Sequence, residues 1–263
     1  MNRGMGLAQN YETFKTDINK TLGIDLNAYK EQQMRRRINQ WLNRYDLESF
    51  DELIRKIQDD PEHRSRFTEY LTINTSHFFR DTTVFSAIDS TVIPDITRHN
   101  KRPRIWSAGA SIGAEIYSIA IMLAEKGVTA RELLATDIDQ AILTKAEAGV
   151  YHENQISNIE PVLLSKYFIR EGTNSYVIHD GIRRQVTFRQ HDLLKDPYQR
   201  DFDLILCRNV FIYFTAETQK RLISNFVESL RPGGYFVVGS AEQIMDPGSY
   251  DLQRVSYCIY QKT

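Results

Sequence analysis

Only two cysteines, Cys207 and Cys258, occur in 263 residues. That is too few for a disulfide framework or a thiolate metal site, so both are expected to be reduced and buried, and no metal is expected. No apolar run approaches bilayer-spanning length, and Met1-Asn-Arg-Gly-Met-Gly-Leu7 lacks the apolar stretch of a secretion signal. A cytoplasmic location without membrane insertion is therefore expected. Neither sign of charge dominates: 33 basic residues against 34 acidic ones leave a net charge of −1 and a pI near 6.6. No global field draws the chain to nucleic acid or anionic lipid, so a charged partner must be met by a local patch. Internal repeats and low-complexity tracts are missing too.

The length exceeds that of a usual single domain, which predicts one large α/β domain plus a smaller attachment. Residues 1–90 show helical periodicity only. Met34, Ile38, Trp41, Leu42 and Tyr45 fall on one helix face. Ser49-Phe-Asp-Glu52 spells a capping box for the next helix, and Asp60-Pro61 opens a third, with Phe67, Tyr70 and Leu71 as its apolar stripe. Lys30, Arg37 and Arg44 repeat at heptad spacing and form a basic stripe with Arg35 and Arg36. Such a stripe is either a solvated face or a surface for an acidic partner.

Over residues 91–263 strands and helices alternate, which predicts a mostly parallel sheet covered on both faces. Strands are expected at 104–107, 132–136, 186–190, 202–207 and 235–239, and a terminal one near 255–261. Helices are expected up to Lys126, from Asp139 to Ala148 and from Ala216 to Leu230, with a stop at Arg231-Pro-Gly-Gly234. The pattern breaks down between Tyr151 and Arg184 apart from a short β run at 175–178, so a β-containing subdomain is expected at about 165–190.

Arg104-Ile-Trp-Ser-Ala-Gly-Ala-Ser-Ile-Gly-Ala-Glu115, followed by Leu-Leu-Ala-Thr-Asp-Ile-Asp139, has the layout of a nucleotide-binding βαβ unit. Gly109 and Gly113 allow a sharp turn and a close approach to a ligand. Asp137, at the end of the second strand, can accept both hydroxyls of a ribose. The spacing suggests a cofactor with an adenosine half without naming it. A nicotinamide fingerprint would carry a third glycine where Glu115 stands, and a glutamate there repels a pyrophosphate at a helix N-terminus. It suits a cationic ligand such as S-adenosylmethionine, unless Glu115 merely complements the helix dipole. Gly109-Ala-Ser-Ile-Gly113 also spells a nucleophile elbow. A hydrolase would need a histidine near the chain's end, whereas His191 is the last one. Arg208 and Asn209 follow an apolar strand, where open α/β sheets bind ligands.

Asn74-Thr-Ser-His-Phe-Phe-Arg80, Ile-Trp-Ser-Ala-Gly109, Glu115-Ile-Tyr-Ser118, Ala-Thr-Asp-Ile-Asp139 and Cys-Arg-Asn-Val-Phe-Ile-Tyr-Phe214 together resemble the motif series of the chemotaxis receptor glutamate O-methyltransferases, the CheR family. The resemblance runs over nearly the whole chain. It implies an S-adenosylmethionine-dependent enzyme with a Rossmann-like methyltransferase domain, an N-terminal helical domain and a small inserted β-subdomain. The partners implied are methyl-accepting chemoreceptors, esterified on glutamates of their cytoplasmic helices, with S-adenosylhomocysteine as product. A monomer is expected, and no attached receiver or tetratricopeptide domain.

Carried over by resemblance, Asn74, Ser76 and Arg80 contact the cofactor, Arg80 near its methyl group. Gly109 shapes the turn, Glu115 takes the ammonium, Asp137 the ribose, and Asp192 with Leu193 the adenine region. Arg208 and Asn209 close the pocket, Tyr213 lies beside the reacting centre, and Arg170 faces it. The chain departs from the family's usual turn at Ala110, Ile112, Ala114 and Ile116, and Asp192 replaces a more usual asparagine. These departures keep a non-catalytic receptor-binding or cofactor-sensing module as the alternative.

Overall fold

The computed structural model of the chain describes residues 3–72 and 76–263. It divides into two compact units, one of Met1–Ile73 with Tyr213–Gln219, the other of Asn74–Ile212 with Lys220–Thr263. Among the described residues no helix is long and apolar enough to cross a membrane.

In the first unit the helix Glu31–Arg44 buries Met34, Ile38, Trp41 and Leu42, as their spacing predicts. Tyr45 sits just past that helix as its C-cap. The Ser49 hydroxyl caps Phe50–Asp59 by accepting from the Glu52 N–H at 3.2 Å. The Glu52 carboxylate, however, reaches the Glu48 N–H at 2.8 Å, so the expected box closes on the residue before the cap. Asp60 accepts from the Glu62 and His63 N–H groups and starts Pro61–Thr72. The basic stripe is not uniformly solvated. Arg35 lies over the Tyr11 ring and pairs with Glu31, and Arg37 lies over Tyr70 and donates to its carbonyl. Arg36, Lys30 and Arg44 remain exposed.

Trp41 is the centre of this unit's second half, edge-on to Phe67 at 5.3 Å, and its indole N–H donates to His63 Nε2 at 3.1 Å. That bond requires an unprotonated Nε2. Burial, helped by Lys56, holds the His63 imidazole below its ordinary value of 6.5. The unfolded chain therefore binds the proton more readily, and the stability from this bond is present above about pH 6.5 and lost as pH falls below it. Wild type is expected to lose about 1–2 kcal/mol relative to His63→Gln between pH 7 and pH 5. Parallel pH profiles of the two unfolding midpoints would refute this.

Among its described residues the second unit is built on ten strands: β1 Arg104–Ala108, β2 Glu132–Asp137, β3 Val150–His152, β4 Phe168–Glu171, β5 Ser175–Ile178, β6 Val186–Gln190, β7 Phe202–Cys207, β8 Leu230–Val238, β9 Leu252–Ser256 and β10 Ile259–Lys262. Seven form one sheet in the order β6-β2-β1-β7-β8-β10-β9. Neighbours from β6 to β8 pair in parallel, and β10 is antiparallel to both β8 and β9. β1 and β7 are almost wholly buried, which is why they read as apolar runs rather than alternating ones. Trp106 anchors the layer beneath by donating to Thr136 Oγ1 at 2.9 Å and packing on Phe202 and Phe226.

Two expectations are corrected. The helix Ala216–Ser229 ends where expected, but Arg231-Pro-Gly-Gly234 does not separate it from the next strand: it lies inside β8, where the register against β7 slips between Phe202 and Leu204 and absorbs the extra residues. The terminal strand is a pair, β9 and β10, joined through Tyr257 and Cys258. The β run at 175–178 is found as β5, flanked by β3 and β4 in a separate antiparallel sheet. Val186–Gln190 belongs to the large sheet. Both cysteines are free thiols and buried, and burial pushes the Cys207 thiol well up.

Candidate functional site

The strand order reverses at β1, with β2 on one side and β7 on the other, and open α/β sheets bind ligands at the C-terminal ends of strands flanking such a switch. The turn that leaves β1 there is held by two N–H groups, of Gly109 and Ala110, both donating to the Thr136 carbonyl at 2.8 and 2.9 Å. Gly109 has φ of 75°, and a Cβ on it would come within 2.6 Å of Val210 Cγ2. Only glycine fits that position. Ser111 also takes a positive φ, its N–H donates to Asp137 Oδ2 at 2.8 Å, and its hydroxyl is buried with no partner among the described residues. Gly113, φ 77°, then opens the helix Ala114–Glu125.

Asp137 ends β2 with both oxygens engaged, Oδ2 by Ser111 and Oδ1 by the Asp139 N–H at 3.1 Å. Burial raises its carboxyl to about 6 despite these donors. The Asp137 carbonyl takes the His191 N–H at 2.9 Å, which ties the end of β2 to the segment carrying Asp192 and Leu193. Asp192 Oδ1 accepts from the Leu194 N–H at 2.8 Å, and the Leu193 carbonyl accepts from the Tyr198 hydroxyl at 2.9 Å. A cavity of about 310 Å³ under this segment is lined by Trp106, Leu134, His191 and Phe202 among others, and by none of the candidate site residues.

Glu115 stands on the first turn of Ala114–Glu125. Its Oε1 accepts from the Ser107 hydroxyl at 2.8 Å and its Oε2 lies 3.1 Å from Arg208 Nη1. Arg208 is thus brought to Glu115, but its side chain is only 2% exposed and is spent on carboxylates: Nη2 is 2.7 Å from Asp81 Oδ2 and also donates to the Arg80 carbonyl at 3.0 Å. Asn209, φ 62°, hangs from Glu242, a buried carboxylate that accepts N–H groups from Asn209 at 2.8 Å, Ile212 at 3.0 Å and Gly239 at 2.7 Å. Burial raises the Glu242 carboxyl and those three donors lower it in part.

The segment preceding the α/β unit is seated through Phe78, fully buried and edge-on to Tyr151 and Phe168, and through Phe79, whose N–H donates to Ser118 Oγ at 3.0 Å. Ser76 is half-buried, and Asn74 lies outside the described residues. Arg170 is in β4 opposite Tyr176, exposed, donating to the Thr173 carbonyl at 2.8 Å. Tyr213 groups with the helical unit, where its carbonyl accepts the Lys30 N–H at 2.8 Å.

Sequence reasoning missed Asp81, Ser107, Tyr151 and Glu242. An acid three residues past the glycine that follows a strand, as in Gly239-Ser-Ala-Glu242, is a signal that could have found the last. Tyr151, whose hydroxyl donates to the Ile112 carbonyl at 2.8 Å, had none. The four departures in the turn, Ala110, Ile112, Ala114 and Ile116, are all buried, at 8% exposure or less. They are apolar and belong to the interior, while Ser111, Glu115 and Asp137 carry the polar groups of the turn.

This pair of carboxylate acceptors suits a ligand with a cation for Glu115 and paired hydroxyls for Asp137. A phosphate at the same helix N-terminus would meet the Glu115 carboxylate. Residues 9–72 match the all-alpha domain of the CheR methyltransferases, and residues 74–257 match their SAM binding domain. A chemotaxis protein methyltransferase of Listeria monocytogenes is 38% identical over 260 residues, 98% of each chain. Chemotaxis protein methyltransferase 1 of Pseudomonas aeruginosa is 32% identical over 94% of each chain, and the chemotaxis protein methyltransferase of Borreliella burgdorferi 29% identical over 93% of this chain and 91% of its own.

Proposed function

Since the chain belongs to the CheR methyltransferase family, we propose that it esterifies glutamate side chains on the cytoplasmic helices of chemoreceptors, using S-adenosylmethionine. The observation that carries the reading is the pair of carboxylates kept at the ends of β1 and β2, Glu115 on the first helical turn and Asp137 at the strand end. When bound, S-adenosylmethionine supplies an electrophilic methyl group on a sulfonium.

The chain's own residues bind and orient. Asp137 accepts the ribose hydroxyls, Glu115 meets the ammonium, and Asp192 and Leu193 border the adenine. Asn74, Ser76, Arg208 and Asn209 complete the cofactor's surroundings. A glutamate acceptor is ionised at neutral pH, so no general base is needed. What the site must provide is alignment, and orientation can contribute about 7–11 kcal/mol. An arginine fork holds a carboxylate in plane better than a lysine does. We assign that role to Arg80, with Arg170 as a second candidate, and place Tyr213 beside the acceptor. Excluding water strengthens these interactions while opposite charges neutralise during transfer. The reaction is placed in the cytoplasm, with the receptor helices as partner and the enzyme acting as a monomer.

The test incubates the protein with methyl-labelled cofactor and cytoplasmic fragments of chemoreceptors from the same organism. Label on receptor glutamates that is released as methanol in base is the expected result. A base-stable methyl product would overturn the ester, and cofactor binding without any transfer would favour the non-catalytic alternative.

A further inference from the structure

Arg208 lies between two carboxylates, and only one of them has a proposed ligand. Its Nη1 is 3.1 Å from Glu115 Oε2 and its Nη2 is 2.7 Å from Asp81 Oδ2. Among the described residues the Asp81 carboxylate receives one further donor, the Ser240 hydroxyl at 3.2 Å. The three ionised groups sum to a charge of −1. A guanidinium next to one carboxylate forms a fork that satisfies both of its oxygens and cancels its charge. Here the fork is split, one nitrogen to each acid, and Glu115 Oε1 is left to a neutral hydroxyl, that of Ser107.

We propose that Asp81 is a positioning residue that draws Arg208 away from Glu115 and so keeps the cofactor's ammonium site negatively charged. Without the Asp81 charge, the buried guanidinium has one anionic partner, closes on Glu115, and leaves a neutral site for a cationic ligand. Arg208 also donates to the Arg80 carbonyl at 3.0 Å, so the same division of the fork holds the backbone that carries Arg80. Asp81 occupies the left-handed region, φ 61°, which asparagine also tolerates, so Asp81→Asn removes the charge without demanding a new backbone. The inference rests on Glu115 as the ammonium ligand.

Titration calorimetry on the full chain tests it with two probes. S-adenosylhomocysteine carries the ammonium, and 5′-methylthioadenosine has the same adenosine half without it. Asp81→Asn is expected to weaken S-adenosylhomocysteine by about 10- to 100-fold, from the loss of one charge acting at a few ångströms. Methylthioadenosine is expected to stay within about threefold, and Asp81→Glu, which keeps the charge, to restore most of the affinity. In a Glu115→Gln background Asp81→Asn is expected to add little, because the charge it protects is gone. Equal weakening of both probes would reduce Asp81 to a structural role and overturn the proposal, as would unchanged binding of S-adenosylhomocysteine by Asp81→Asn. If Glu115→Gln alone leaves S-adenosylhomocysteine binding unchanged, it is the underlying assignment of Glu115 that fails.

Discussion

Arg80→Ala is expected to lower methyl transfer to receptor fragments by at least about 1,000-fold at saturating cofactor, the equivalent of roughly 4 kcal/mol of the alignment such a site can supply. The reason is geometric. A carboxylate nucleophile needs its lone pair directed at the methyl carbon, and a planar fork restrains it in a way that a single point charge does not. Arg80→Lys is accordingly expected to fall between wild type and alanine. The fold around the position should survive, because Arg208 holds this segment by the Arg80 carbonyl, which every substitution retains. Phe78 and Phe79, which seat the segment on Tyr151, Phe168 and Ser118, are untouched. Single-turnover kinetics with labelled cofactor, beside S-adenosylhomocysteine affinity, check this. Wild-type turnover would remove Arg80 from the proposed mechanism, and parallel loss of turnover, affinity and thermal stability would make its role structural.

Asp137→Ala is expected to weaken S-adenosylhomocysteine by about 100-fold or more, since hydrogen bonds to a charged acceptor contribute about 1.5–3 kcal/mol each and two are lost. The pH dependence gives a second readout. Burial raises the Asp137 carboxyl from 3.8 to about 6. Below that pH the ligand-free site is protonated and accepts ribose hydroxyls poorly, so wild-type affinity is expected to fall by up to about tenfold per pH unit below 6. The residual affinity of Asp137→Ala should lack this dependence. The same shift has a stability consequence of opposite sign to that of His63. A carboxyl whose folded value lies above its unfolded one contributes stability that is full below about pH 4 and lost as pH rises through 6. At neutral pH the buried charge costs the ligand-free protein on the order of 3 kcal/mol. Cofactor binding would offset that cost, and a large rise in unfolding temperature with S-adenosylhomocysteine is expected for wild type only. A flat affinity profile between pH 7 and pH 5 would remove the carboxylate from the ribose site.

By itself the sequence determined the elements that local patterns encode. The helix Glu31–Arg44 and the β1–helix–β2 unit were legible because burial on one helix face or in a parallel sheet imposes a period or an apolar run on neighbouring residues. Gly109, Glu115 and Asp137 could be singled out for the same reason: a turn, a first helical turn and a strand end each constrain chemistry within a few positions. Motifs in register also carried the family, which no single pattern did. The tertiary structure alone decided how charges are shared. Arg208 meets Glu115 from 93 residues away and Asp81 from 127, and Glu242 takes the Asn209 and Ile212 N–H groups from 33 and 30 residues away. Nothing in the neighbourhood of those residues signals the pairing, because strand order is set by which apolar faces can be buried together across the whole sheet. The slip inside β8 and the β9–β10 pair escaped for a related reason. Proline and glycine usually punctuate local structure, but here Arg231–Gly234 bulge out of register between the paired residues Leu230 and Tyr235, so the strand resumes on its far side.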